Sequence, residues 1–88
     1  MKFEFDAAKS ASNKEKHGID FVRAQDLWKS KLVLVPAKEV GEKRHLLMGV
    51  IAMRHWTAII TYRETRIRII SVRRSTPLEI LIYEEPER

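Results

Sequence analysis

Three apolar runs separated by very short polar connections constrain this fold more than any other feature of the chain. The runs cover about Arg44–Ala52, Trp56–Arg63 and Arg66–Val72. Their two connections, residues 53–55 and 64–65, are long enough only for hairpins. The sequence therefore predicts an antiparallel meander of three strands.

Two shorter strands and two helices are predicted before the meander. Phe3 and Phe5 alternate with polar residues, and residues 32–35 form an apolar run that Pro36 stops. Asp6 is a typical N-cap for a helix through about Lys16, and residues 21–29 have the apolar spacing of a second helix.

The last helix has the clearest local signal. Thr76-Pro77-Leu78-Glu79 combines an N-cap threonine, proline at the first helical position and glutamate at the third, which is the pattern of a capping box. A helix from Pro77 to about Glu85 follows. The order β-α-α-β-β-β-β-α predicts an α+β single domain over residues 1–88, with the helices packed on a twisted antiparallel sheet.

Composition excludes several classes of protein. There is no cysteine, so disulfide scaffolds, cysteine-zinc sites and cysteine catalysis are excluded. No apolar run approaches the length of a membrane span, and we expect a cytoplasmic protein without a membrane partner. The net charge is +5, and residues 54–74 carry six arginines against Glu64 alone. Clustered arginines suit phosphate recognition, although a solvated face is an equal alternative.

A polar stripe on the first helix also points to an anionic partner. Lys9, Asn13, Lys16 and His17 fall within one sector of the helix. On the opposite side the residues that can approach the sheet are small, namely Ala7, Ala8 and Ala11. The alternative is that the stripe is simply solvated.

Two stretches of the chain resemble the signatures of the BrnT family. The first runs from Phe3-Glu4-Phe5-Asp6 through Lys9 and Asn13 to Lys16-His17-Gly18-Ile19 and Phe21, and the second is residues 66–76, RIRIISVRRST. The resemblance implies a RelE-like fold with two N-terminal helices and one C-terminal helix. It also implies the toxin of a type II toxin–antitoxin module.

The implied activity is that of an endoribonuclease that needs no metal or other cofactor and inhibits translation. In RelE-like ribonucleases the RNA 2′-OH attacks the adjacent phosphate. The implied partners are RNA and a cognate ribbon-helix-helix antitoxin. The complex binds DNA only through the antitoxin, and in this way it represses its own operon.

Under this resemblance we predict catalytic residues and a wider RNA-binding set. His17 is the candidate general acid or base, because an imidazole has an ordinary pKa of about 6.5. The predicted catalytic residues are His17, Lys9, Arg73 and Tyr83. The predicted RNA-binding residues are Asn13, Lys16, Arg63, Arg66, Arg68 and Arg74.

The last helix also predicts a protein-binding surface, because it is apolar nearly all round. We expect Leu78, Leu81 and Ile82 to cover the sheet, which leaves Ile80 and Tyr83 to an antitoxin or to a second copy of this chain. The equal alternative is that Ile80 and Tyr83 complete the small core. Two further functions stay open: a nucleic-acid-binding module without catalysis, and a degenerate toxin that acts only through its partner.

Overall fold

The chain is built on one five-stranded sheet, seen in a computed structural model that describes residues 2–37 and 41–86. The strands are β1 (Lys2–Glu4), β2 (Val33–Ala37), β3 (Arg44–Ile51), β4 (Arg54–Arg63) and β5 (Arg66–Arg74). The helices are α1 (Ala7–His17), a 3₁₀ helix (Arg23–Lys29) and α2 (Pro77–Glu84). The predicted α+β class, the element order and the antiparallel β3-β4-β5 meander are confirmed.

The sheet is mixed, because β1 pairs in parallel with β5. Its order is β1-β5-β4-β3-β2, so that the first two strands occupy opposite edges. The prediction of a fully antiparallel sheet is wrong for β1, since a pairing between the two ends of a sequence leaves no local signal. β2 continues through Pro36, which an edge strand tolerates because one side of its backbone needs no partner.

The hydrophobic core lies between one face of the sheet, which we call the core face, and residues 19–29. Trp56, Ala58 and Ile60 alternate along β4 and point to this side, where Phe21 and Leu27 cover them. The predicted second helix is a 3₁₀ helix rather than an α-helix. Its buried Ala24 and Leu27 are three residues apart, the spacing that stacks side chains in a 3₁₀ helix.

The two ends of α1 lie close to where the sequence predicts them, but the buried face of the helix differs from the predicted one. The Asp6 carboxylate accepts the Lys9 amide at 3.0 Å, and Gly18, at φ 81°, donates its amide to the Lys14 carbonyl at 2.9 Å. The three alanines expected against the sheet are exposed, whereas Ser10 and Asn13 are buried.

Asn13 attaches α1 to the edge of β5. β1 pairs with β5 only as far as Arg68, so the outer backbone groups of Val72 need another partner. The Asn13 Nδ2 donates to the carbonyls of Val72 and Ile19, both at 2.8 Å, and its Oδ1 accepts the Val72 amide at 3.1 Å. A side chain therefore completes the edge where the strand ends.

The capping box of α2 is confirmed, but the predicted orientation of this helix is wrong. Thr76 and Glu79 exchange the two hydrogen bonds of the box. Tyr83 is buried, with 8% of its surface exposed, and its hydroxyl donates to the Lys31 carbonyl at 2.9 Å. Leu78 and Leu81, expected to cover the sheet, are 67% and 69% exposed. The hydrogen bonds of Glu79 and Tyr83 turn these two side chains towards the sheet. The helix is therefore rotated away from the orientation that its leucines predict.

Candidate nucleic-acid interface

A cleft of about 350 Å³ opens where the C-terminus of α1 meets the β3–β4 hairpin. We call it the hairpin-end cleft. Its lining contains two arginines, one tryptophan and no carboxylate: Gly18, Ile19, Arg23, Ile51, Ala52, Arg54 and Trp56. A cleft with cations and an aromatic floor suits a phosphate beside a base.

Arg54 in the lining and Arg74 beside it give this cleft its available charge. The Arg74 guanidinium lies over the Trp56 ring, 5.5 Å from the ring centroid. Stacking of this kind holds the planar guanidinium in place while its N–H groups stay open to a phosphate. Arg54 is exposed and has no ion-pair partner among residues 2–37 and 41–86. The third arginine, Arg23, is bound to Asp26 at 2.6 Å.

His17 lies next to this cleft. It is the last residue of α1, is exposed, and precedes the Gly18 that lines the cleft. Lys14 and Lys16 share its turn of the helix, so the C-terminal end of α1 is strongly basic. Cations there are stabilised by the negative end of the helix dipole.

The hairpin that carries Arg54 has an unusual turn. Ala52 and Met53 both have positive φ, 49° and 65°, although neither is glycine. A two-residue hairpin turn requires this conformation, at a cost of roughly 1 kcal/mol for each residue. The turn consists of residues 52–53, whereas the sequence predicted a connection of residues 53–55. Arg54 is therefore the first residue of β4.

Asn13 does not belong to the exposed stripe predicted on α1. It is 6% exposed, and both of its amide hydrogens are donated to backbone carbonyls. Lys9 and Lys16 are exposed as predicted. Lys9 lies eight residues before His17, which is about 12 Å along the helix axis. The two side chains therefore lie at different ends of α1.

Arg73 and Tyr83 lie on the opposite side of the sheet from the cleft. Thr57 and Arg73 are register partners on the face that points away from the core, which we call the second face, and α2 covers them. Arg73 donates two hydrogen bonds to the Glu79 carboxylate, at 2.7 and 2.9 Å. Arg73 was predicted to be catalytic together with His17 and Lys9 of α1. Strand alternation instead places its guanidinium under α2, on the other side of the sheet from the cleft.

Glu79 is the most perturbed acid of the described residues. Hydrogen bonds from Arg73 are the main cause that lowers its pKa from 4.5 to about 2, and the Thr76 amide and the Thr57 hydroxyl add to the effect, against burial. The same pair raises the pKa of Arg73. The charge of this arginine is thus matched within the fold.

The remaining predicted RNA contacts lie at the far end of the sheet. Arg63 pairs with Glu42 and Arg68 with Glu4, each at 3.1 Å, while Arg66 is exposed. β4 runs from Arg54 to Arg63, so this group is about 30 Å from the cleft. Of the predicted RNA-binding arginines, only Arg74 contacts a residue that lines the cleft.

Sequence reasoning did not select Arg54 or Trp56 as site residues. Arg54 was visible as part of the arginine-rich block, and Trp56 only as a strand residue. The information that would locate them is the pairing register of β4 and β5, which places Trp56 opposite Arg74. That register was not fixed by sequence, because β5 contains an irregularity opposite Ile59 and Ile60.

Comparison with known families gives a match over residues 5–79 to the family described as Ribonuclease toxin, BrnT, of type II toxin-antitoxin system. The chain belongs to the BrnT family. The match includes every residue that lines the hairpin-end cleft and also the Arg73–Glu79 pair. A comparison with curated proteins returned no match.

Membership in the BrnT family makes this chain the ribonuclease toxin of a type II module, for which an antitoxin is the partner and RNA the substrate. No helix in the described part of the chain is long and apolar enough to span a membrane. Within the same residues, no group of three or more histidine, aspartate or glutamate side chains is placed to hold a metal ion.

Proposed function

We propose that this BrnT protein cleaves RNA without a metal ion, with the scissile phosphate bound in the hairpin-end cleft. The observation that supports this most strongly is the composition of the cleft. Arg54 and Trp56 line it without any carboxylate, and Arg74 stacks on the Trp56 ring. Such a site attracts the RNA backbone and leaves the attacking group to the substrate.

The proposed reaction is an attack of the 2′-oxygen on the adjacent phosphorus. The bond from phosphorus to the 5′-oxygen breaks, which leaves a 2′,3′-cyclic phosphate and a free 5′-hydroxyl. His17 takes the 2′ proton or gives a proton to the leaving oxygen, a role worth typically 10²- to 10⁴-fold in rate, and solvent water takes part in the other proton transfer. Arg74 and Arg54 stabilise the charge that develops on the phosphate oxygens.

The other predicted residues take supporting roles in this proposal. Lys16 and Lys9 bind phosphates on either side of the cleaved one, along the exposed face of α1. Arg63, Arg66 and Arg68 contact RNA only where a strand extends to the far end of the sheet. Asn13 acts by holding α1 beside β5, and Arg73 and Tyr83 act by holding α2, since all three are occupied within the fold.

We further propose the biological setting that the resemblance implies. The antitoxin has a ribbon-helix-helix domain, the complex binds operator DNA through that domain, and the free toxin arrests translation in the cytoplasm. The type II family membership supports these statements. Purified complex that shifts operator DNA, compared with toxin alone that does not, tests the DNA-binding part.

Cleavage of a labelled RNA by the purified protein in excess EDTA tests the reaction itself. We expect a 2′,3′-cyclic phosphate end, at least a 100-fold loss of rate in His17→Ala, and at least a 10-fold loss in Arg74→Ala. Lys29→Ala is the matched control, because it removes an exposed cation that does not line the cleft.

Two results contradict the proposal. Loss of cleavage in EDTA that Mg²⁺ restores would show a metal-dependent reaction. Salt-sensitive RNA binding without cleavage by the wild-type protein would favour the nucleic-acid-binding module.

A further inference from the structure

The two faces of the sheet are covered very differently. Residues 19–29 cover the core face, and Phe21 and Leu27 of this segment are almost completely buried against it. On the second face, α2 is the only described helix, and its eight residues are about 12 Å long. α2 covers Thr57 and His55 at one end of the strands, where Glu79 and Glu84 contact them.

One row on the uncovered part of the second face is apolar. Ile59 of β4, Leu46 of β3 and Val35 of β2 are consecutive partners across three strands and are all half-buried. Ser71 continues this row on β5, and the next row along the strands consists of the polar residues Thr61, Arg68 and Glu4. An apolar row beside a polar row matches the two sides of an amphipathic helix.

The open area has the dimensions of one helix. Six residues separate Thr57, under α2, from Arg63 at the far end of β4, which is about 20 Å. Five strands are about 19 Å across. A helix with its side chains is about 10 Å in diameter, so a single helix can lie on the face next to α2.

A row of cations borders this area at the far end. Lys2, Arg66 and Arg63 are register partners on β1, β5 and β4, and all three are exposed. Like charges directly opposite one another destabilise a sheet. Of these three, only Arg63 has an ion pair within the described residues, with Glu42. A cleft of about 430 Å³ lies beside Arg63 and Arg66, and Glu4, Glu64 and Thr65 complete its lining. Glu4 is already paired with Arg68.

We propose that the open part of the second face, formed by Val35, Leu46 and Ile59 and bordered by Lys2, Arg63 and Arg66, is the docking surface for an acidic amphipathic helix of the antitoxin. The apolar side of that helix covers the row of Ile59, and its aspartate or glutamate residues meet the cations. The proposal rests on the toxin–antitoxin membership and places the partner on the side of the sheet opposite the RNA cleft.

The test measures the dissociation constant between this protein and the antitoxin encoded by the adjacent reading frame. Ile59→Lys, which places a charge in the apolar row, is expected to weaken binding at least 30-fold. Arg66→Glu is expected to weaken it by 5- to 10-fold, and more strongly at low salt than at high salt. Arg66→Lys should bind within 2-fold of the wild type.

Two control variants change equally exposed residues on other surfaces. Met53→Lys alters the tip of the β3–β4 hairpin, where the side chain is 93% exposed, and Lys29→Glu reverses a charge at the end of the 3₁₀ helix. Both should bind within 3-fold of the wild type. Controls that weaken binding as much as Ile59→Lys, or an Ile59→Lys protein that folds and binds normally, overturn the proposal.

Hydroxyl-radical footprinting of the wild-type protein keeps the proposal testable if Ile59→Lys does not fold. We expect antitoxin to protect Leu46, Ile59 and Val35 from oxidation and to leave Met53 reactive. Unchanged reactivity of Leu46 and Ile59 in the complex overturns the proposal. So does a homodimer that protects the same residues while the antitoxin does not, because the occupant is then a second copy of this chain.

These outcomes are separate from those of the proposed reaction. Cleavage in EDTA depends on His17 and Arg74, whereas antitoxin binding is measured without RNA. A protein that binds antitoxin through Ile59 but does not cleave RNA supports the docking surface and contradicts the reaction.

Discussion

α1 and α2 are both attached to the sheet at β5 by a polar side chain, and the two attachments differ in charge. On the α1 side, the neutral amide of Asn13 makes three hydrogen bonds to the backbone. On the α2 side, Glu79 binds Arg73 through two charged hydrogen bonds and also accepts from Thr57. The Asn13 attachment of α1 is therefore independent of pH and salt, whereas the Glu79 attachment of α2 is not.

The difference also bears on function. α1 carries His17 and Lys16 on its exposed side, so a neutral attachment leaves the charge near the proposed RNA site unchanged. α2 instead matches the charge of Arg73 with its own carboxylate. An arginine in a basic block can thus belong to the packing of a helix rather than to ligand binding.

Removing the Asn13 amide should have the largest effect on stability. In Asn13→Ala the Val72 amide and two buried carbonyls lose their partners, so we expect the free energy of unfolding to fall by about 3 kcal/mol. Urea denaturation at pH 7 measures it. Ser12→Ala, on the exposed side of the same helix, should change this free energy by less than about 0.5 kcal/mol, which is the usual scale of surface substitutions. A loss below about 1 kcal/mol in Asn13→Ala would show that water replaces the amide.

Neutralising Glu79 should have the second largest effect. Glu79→Gln retains the shape of the side chain but leaves the Arg73 guanidinium without its countercharge, which should cost about 2 kcal/mol at pH 7. A double-mutant cycle with Arg73→Gln should give a coupling free energy of about 1–3 kcal/mol. Additive losses in the cycle would contradict a direct interaction.

Acid should weaken the α2 attachment selectively. The pKa of Glu79 is about 2 in the folded protein, below its usual 4.5, so its stabilisation is complete above pH 4.5 and is lost as pH falls towards 2. The wild-type protein should therefore lose about 1–2 kcal/mol more stability than Glu79→Gln between pH 5 and pH 2.5. The wild-type protein and Asn13→Ala should show parallel pH profiles, because the amide does not titrate. Equal acid sensitivity of wild type and Glu79→Gln would contradict the prediction.

The cap of α2 should contribute least. Thr76→Ala removes the oxygen that accepts the Glu79 amide, at 3.2 Å, which typically costs about 1 kcal/mol. Thr76→Ser should retain most of the stability, since its hydroxyl can make the same bond. Thermal unfolding of both variants measures the difference, and an Ala variant as stable as wild type would show that the ion pair alone holds the helix.

Much of this architecture follows from short-range patterns in the sequence. The hairpins, the Asp6 cap, the Gly18 terminus and the Thr76–Glu79 box each depend on residues within a few positions of one another. Steric preferences and local hydrogen bonds act at that range, so they can be recognised without knowledge of the fold. The two family signatures were likewise visible in the sequence, and the family match confirms them.

The tertiary structure decided which side chains share a site. Lys9 and Asn13 both belong to the predicted stripe on α1, yet Asn13 turns inwards because Val72 lacks a strand partner at that position. Arg73 and Arg74 are adjacent in sequence, yet one binds Glu79 under α2 and the other stacks on Trp56 beside the cleft. The physical reason is that strand register and unsatisfied backbone groups are set by segments far apart in sequence, and these outweigh the local apolar pattern of a helix.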